Sequence, residues 1–197
     1  MRRALYVLAA LVVGAASPAS AQARVRSGIR LDPQPSGPPS AVVHVSNLLD
    51  DPLWSDALSN AYTIHVHWRL RLWRKSWLFD GALTTIEWDD DIQQVPVLDE
   101  FSFREGVQGR APKETKFATL ELLKQQVERE VTIPTPPGLP AGRWYYALDV
   151  TISTATDARA GSEAGGLSSI LQRFILGGGP SQSLSTQTSA TFTVRSR

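Results

Sequence analysis

The chain has 197 residues, no cysteine, 42% hydrophobic and 20% charged residues, and a formal net charge of +1. That length suits one domain with a proper core. The lack of cysteine excludes disulfides, thiolate metal sites and cysteine nucleophiles, and the near-neutral charge gives no bulk attraction to nucleic acid.

Met1-Arg2-Arg3 is a short positive start, Ala4–Ala16 is uncharged and mostly apolar, and Ser17-Pro18-Ala19-Ser20-Ala21 supplies a break and a small-x-small site. This order predicts a signal peptide over residues 1–21, cleaved near Ala21. The apolar run falls short of the roughly 20 residues that span a bilayer, and retention as an anchor is the alternative. Cleavage removes two arginines and no acid, which takes the net charge from +1 to −1. An exported, disulfide-free chain reads as bacterial and periplasmic, with no membrane span left after cleavage.

Gln22–Ser40, with Pro33, Pro35, Pro38 and Pro39, is expected to be a proline-rich linker. A single β-rich domain over residues 41–197 should follow. Ala41–Ser46 predicts a strand. Asp51-Pro52 offers an N-cap and a first-turn proline for a helix to about Asn60, with Leu53, Trp54, Ala57, Leu58 and Ala61 on one face.

Thr63–Trp73 alternates apolar Ile64, Val66, Trp68, Leu70 and Leu72 with polar His65, His67, Arg69 and Arg71, the period-two pattern of a half-buried strand. A second alternating run covers Leu83–Asp89. A hairpin that sets Trp68 opposite Trp88 also sets Leu70 opposite Ile86, Arg69 opposite Glu87 and His67 opposite Asp89. One register then satisfies both faces. Its competitor, a two-residue turn at Asp80-Gly81, pairs odd positions with even ones.

Gln94–Leu98 and Phe101–Arg104 are further strand candidates, the first an edge because of Pro96. Thr119 can cap a helix with Leu120, Leu123 and Val127 as its stripe, ending near Glu130. Arg143–Ser153 predicts a long strand with Trp144, Tyr146, Leu148, Val150 and Ile152 inward. A loop over Thr154–Gly166, a short helix over Leu167–Leu176, a break at Gly177-Gly178-Gly179 and a last strand over Ser189–Arg195 complete the chain. Strands joined by turns predict a mainly β fold, an antiparallel sheet or β-sandwich with two or three short peripheral helices.

The long strand followed by Arg74-Lys75-Ser76-Trp77-Leu78-Phe79-Asp80, the Phe117-Ala118-Thr119-Leu120 helix entry and the Gly142-Arg143-Trp144-Tyr145-Tyr146 strand entry resemble a family of exported bacterial proteins, domain of unknown function 4390. The resemblance spans roughly Ala41 to Arg195. It departs at Val95–Phe103, which lacks the family's Tyr-His pattern, and in lacking a C-terminal tryptophan region. It implies a non-enzymatic envelope protein and carries over no site residue.

His65 and His67, two apart on one strand face, with Asp89 across the hairpin, are weak metal candidates, because two histidines fall short of a full ligand set. Asp89-Asp90-Asp91 lacks the glycine and terminal glutamate of a calcium loop and reads as a solvated turn. No serine elbow, zinc-protease motif or phosphate loop is present in the sequence, no catalytic residue is assigned and no cofactor is called for. The remaining candidate is a surface of Trp73, Arg74, Lys75, Trp77, Leu78 and Phe79 at the hairpin tip. Aromatics beside cations suit an envelope protein partner or a membrane surface. Large apolar tips usually fold under a loop into the core, and that is the favoured expectation for Trp77-Leu78-Phe79; an unrecognised hydrolase or metal-dependent enzyme is the alternative function.

Overall fold

The computed structural model describes residues 24–106, 111–154 and 180–195. The expected signal peptide, the loop over Thr154–Gly166 beyond its first residue, the Leu167–Leu176 helix and the triple glycine lie outside them.

The fold is mainly β, with two short helices among the described residues. Strands β1 (Arg26–Asp32), β2 (Ser40–Ser46) and β7 (Val131–Ile133) form one antiparallel sheet in the order β1-β2-β7. The larger sheet runs β10 (Gln187–Thr188), β8 (Gly142–Thr154), β3 (Ile64–Lys75), β4 (Gly81–Val95), β5 (Glu100–Glu105) and β6 (Lys113–Phe117). Two further short strands, β9 (Ser181–Ser183) and β11 (Phe192–Val194), also pair with β8. Helix α1 (Pro52–Ser59) packs beside β3 and β4, and α2 (Leu120–Val127) rests on β5 and β6. The two sheets meet face to face in a β-sandwich-like arrangement. Ala41, Val43 and Val45 of one sheet share a core with Trp68, Leu70, Tyr146 and Leu148 of the other.

β1 is a correction to the linker expected over Gln22–Ser40. It pairs with β2 along its whole length, setting Ile29 opposite Val43 and Leu31 opposite Ala41. Ile29 and Leu31 pack against the core, and Val25 just before them is buried. The domain therefore begins upstream of Ala41, and the proline run is the connection between β1 and β2.

The β3–β4 hairpin has the expected register: Trp68 faces Trp88, Leu70 faces Ile86, Arg69 faces Glu87 and His67 faces Asp89. The two indoles stack with centroids 5.4 Å apart and planes 7° from parallel, and both are buried. Past Leu72 opposite Thr84 the register slips, so that Trp73 faces Ala82 and Leu83 stands unpaired as a bulge. The predicted pairing thus holds from Ile64 to Leu72, and beyond the bulge odd positions face even ones, but not in the register of a two-residue turn at Asp80-Gly81, because Gly81 is paired with Arg74. The segment 76–80 closes it.

β8 runs on the other side of β3, antiparallel from Ile64 opposite Thr154 to Lys75 opposite Arg143. Its residues alternate as expected, with Trp144, Tyr146, Leu148, Val150 and Ile152 buried.

Several local expectations are corrected. Gln94 and Val95 end β4, and Val95–Leu98 is a turn closed by Leu98 N–H donating to the Val95 carbonyl, 3.1 Å. The Asp89-Asp90-Asp91 run is not a turn but lies inside β4. In α1, Asp51 caps the helix by accepting from Leu53 N–H, while Trp54, Ala57 and Leu58 are buried. Leu53 is exposed, and Ala61 lies beyond the helix with φ +59°. In α2, Thr119 caps through Leu122 N–H and Leu123 and Val127 are buried. Leu120 is exposed in the first turn, because the helix meets the sheet only on the side holding Leu123 and Val127, and it ends at Val127 rather than Glu130.

Candidate functional site

The outer face of the large sheet carries an ordered row of charges. His65, His67, Arg69 and Arg71 project from β3 opposite to its buried residues, as period-two alternation dictates. Each meets an acid: His65 Nδ1 lies 2.5 Å from Asp91 Oδ1, and His67 Nδ1 lies 2.7 Å from Asp89 Oδ1. Arg69 Nε donates to Glu87 Oε1 at 2.6 Å, and Arg71 donates to Asp149 Oδ2 of β8 at 2.5 Å. The hydrogen bond to Asp89 raises the His67 pKa above its usual value, partly offset by desolvation. The structure brings His67 and Asp89 together as the hairpin register requires. Each histidine, however, has its own carboxylate, and among the described residues no three His, Asp or Glu side chains gather as a metal site.

Asp90 points the other way, into the core between Trp88 and Ile92. It is 7% exposed; one carboxylate oxygen accepts from Trp68 Nε1 at 2.9 Å, and the other has no partner. Burial pushes its pKa up to about 7; Glu105, its cross-strand neighbour on β5, adds to the rise, while the Trp68 hydrogen bond and Arg129 oppose it. Arg129 is itself held by Glu105 at 2.6 Å. The hairpin register already places Asp90 opposite inward-facing Val66, so the signal for its burial was present in the sequence.

Two grooves lie away from these groups. One, of about 740 Å³, runs between the loops around Pro38-Pro39 and Pro137-Gly138-Leu139, with Arg195 at its side. The other, of about 480 Å³, adjoins the start of α1, where Asp51 is already committed as the helix cap. Neither brings together a nucleophile and a base.

The hairpin tip is different in kind. Trp77 is 89% exposed, Phe79 85% and Leu78 61%. The tip therefore does not fold into the core. Three contiguous apolar residues cannot share one strand face, and no loop among the described residues covers them.

The base of this tip is well fixed. Asp80 accepts from Ser76 N–H at 2.9 Å through one oxygen and from the Tyr145 hydroxyl at 2.9 Å through the other. These two bonds hold the Asp80 carboxyl below its usual pKa. Arg74 donates to the Ala141 carbonyl at 3.1 Å and lies over the Trp144 ring, 5.9 Å from its centroid. Trp73 is half-buried under Arg71, 5.4 Å away, so it supports the tip from the side. Arg74 and Lys75 are exposed. The sequence reading missed Arg143, Tyr145 and Asp80, because β8 had no assigned neighbour and their convergence needs it beside β3.

No family model matches the chain, and comparison with curated proteins and with solved structures finds no match.

Proposed function

We propose that the protein is an exported bacterial envelope protein that acts by binding rather than by catalysis, through the tip of the β3–β4 hairpin. On this reading residues 1–21 are a leader removed near Ala21, and the mature chain works in the periplasm. The placement rests on the positive start, apolar run and small-residue site. The resemblance to the exported proteins of domain of unknown function 4390 points the same way.

The observation that carries the binding role is the exposure of Trp77 and Phe79 on an arc whose base Asp80 clasps. Large aromatics left in water cost solvation free energy that a partner surface recovers. Each such side chain is worth roughly 1.5–3 kcal/mol when fully buried. A fixed base also means that little order must be imposed on docking.

The test is the double variant Trp77→Ser/Phe79→Ser. Its melting temperature and circular dichroism should match the parent chain, while crosslinking from the tip to envelope components is lost. Unfolding of the variant would make the tip part of the core and remove the basis of the reading.

A further inference from the structure

We infer that the surface recognised by the tip is an anionic lipid bilayer, with Trp77, Leu78 and Phe79 entering the interface and Arg74, Lys75 and Arg143 meeting its phosphates. This rests on the binding role proposed above and names the partner.

The charge pattern of the outer face is the first argument. From His65 to Arg71 every basic side chain on β3 has an acid within 2.7 Å. At the tip that pairing stops. Lys75 stands directly opposite Arg143 of β8, and among the described residues neither they nor Arg74 forms an ion pair with an acid. Like charges directly opposite in a sheet are unfavourable, and although the Asp80 carboxylate acts on Lys75 at a distance, Lys75 and Arg143 face each other without the ion pair that an anionic surface would supply. Asp80 is the acid nearest in sequence, and both its oxygens are occupied by Ser76 N–H and Tyr145.

Area is the second argument. An aromatic residue buries roughly 150–250 Å², so Trp77, Phe79 and Leu78 together offer about 500 Å². A stable protein interface takes roughly 800 Å² from each partner, and a projecting arc of three residues falls short of it. A bilayer has no such threshold. An aromatic wedge with a basic collar at headgroup depth is the arrangement that partitions into it.

The closing experiment uses the protein in the form that cells accumulate when the full sequence is expressed. Flotation is run with vesicles of pure phosphatidylcholine and with vesicles containing one-quarter phosphatidylglycerol. Each basic residue near an anionic surface changes binding by about fivefold. Lys75→Gln/Arg143→Gln should therefore weaken partition onto the anionic vesicles at least tenfold and leave the weak binding to neutral ones unchanged. Trp77→Ser/Phe79→Ser should abolish both at an unchanged melting temperature. Since the chain has no cysteine, Phe79→Cys gives a single site for an environment-sensitive dye. Its emission should shift to the blue with anionic vesicles, a readout that a retained leader would not supply. Absence of that shift, or flotation indifferent to Lys75→Gln/Arg143→Gln, overturns the lipid assignment. If the dye stays in water on vesicles while a crosslinker at the same position captures a protein in cells, the lipid inference falls and the binding role stands. If neither occurs, both fall.

Discussion

A carboxylate on the core side of a strand is costly unless it keeps its proton, and Asp90 is such a group. Its folded pKa is about 7 against an ordinary 3.8. Between about pH 4 and pH 7 the native chain holds a proton that the unfolded chain has released. Stability therefore falls as pH rises through that window and is lowest above it. At 1.36 kcal/mol per pKa unit, the span is on the order of 4 kcal/mol. Asp90→Asn should remove this slope, leaving the variant close to the parent at pH 4 and more stable at pH 8. Parallel melting curves across that range would contradict the account. The indole that donates to Asp90 supports a second prediction. Trp68→Ala should cost about 3–5 kcal/mol from the vacated volume, read as a lowered midpoint in urea denaturation, and about 1–3 kcal/mol more where the lost N–H leaves Asp90 unsatisfied. The Trp68–Trp88 stack was legible because one register satisfied two faces. Asp90 was obscured by the acidic run around it, since three adjacent aspartates resemble a solvated turn until the strand is carried through them.

At the scale of elements, long alternation is what made β3 and β8 readable: each carries five or more inward residues in period two. Short strands offer no such signal. β7 and β9 have three residues each, and they are strands because a neighbour supplies hydrogen bonds, which no local pattern records; β11 (Phe192–Val194) is the central part of the last strand expected over Ser189–Arg195. β1 was hidden by Gly28 in its middle and the prolines after it, although Val25, Ile29 and Leu31 keep an odd-position apolar pattern. Because that pattern is packed against the core, removing residues 22–33 should lower the melting temperature by about 10 °C or more, on a scale of roughly 2–4 °C per kcal/mol. A spacer would be removed without effect. Differential scanning calorimetry of the shortened chain distinguishes the two.

For the molecule as a whole, the exposed edges of the large sheet show how a β-rich chain avoids pairing with copies of itself. β6 presents Lys113, Glu114 and Lys116 within five residues, and charged edges resist strand addition. The aromatic tip carries no such guard: it presents three contiguous exposed apolar residues, while the β4–β5 turn exposes Val97 and Leu98. The whole-chain prediction concerns the N-terminus: mass spectrometry of the protein recovered from a bacterial periplasm should give a chain starting at Gln22. A chain starting at Met1 in the membrane fraction would favour the anchored alternative. The sandwich class was legible from turns and alternation, whereas the site was only half legible. Its aromatic arc is contiguous in sequence, but its basic collar joins Lys75 to Arg143 across two strands.

The unpaired Leu83 has a bearing on how such a tip could change over time. Between Ile64 and Leu72 the hairpin is locked in step by nine consecutive pairs, so a length change there would invert every face at once. Beyond the bulge the two strands are already out of phase, and bulges bend and twist the strand that carries them. Gaining or losing a residue at position 83 would therefore rotate the aim of the arc while the stacked indoles stayed where they are. The bulge works as a vernier between a rigid core and an adjustable end, letting the proposed binding arc be retuned without refolding the protein.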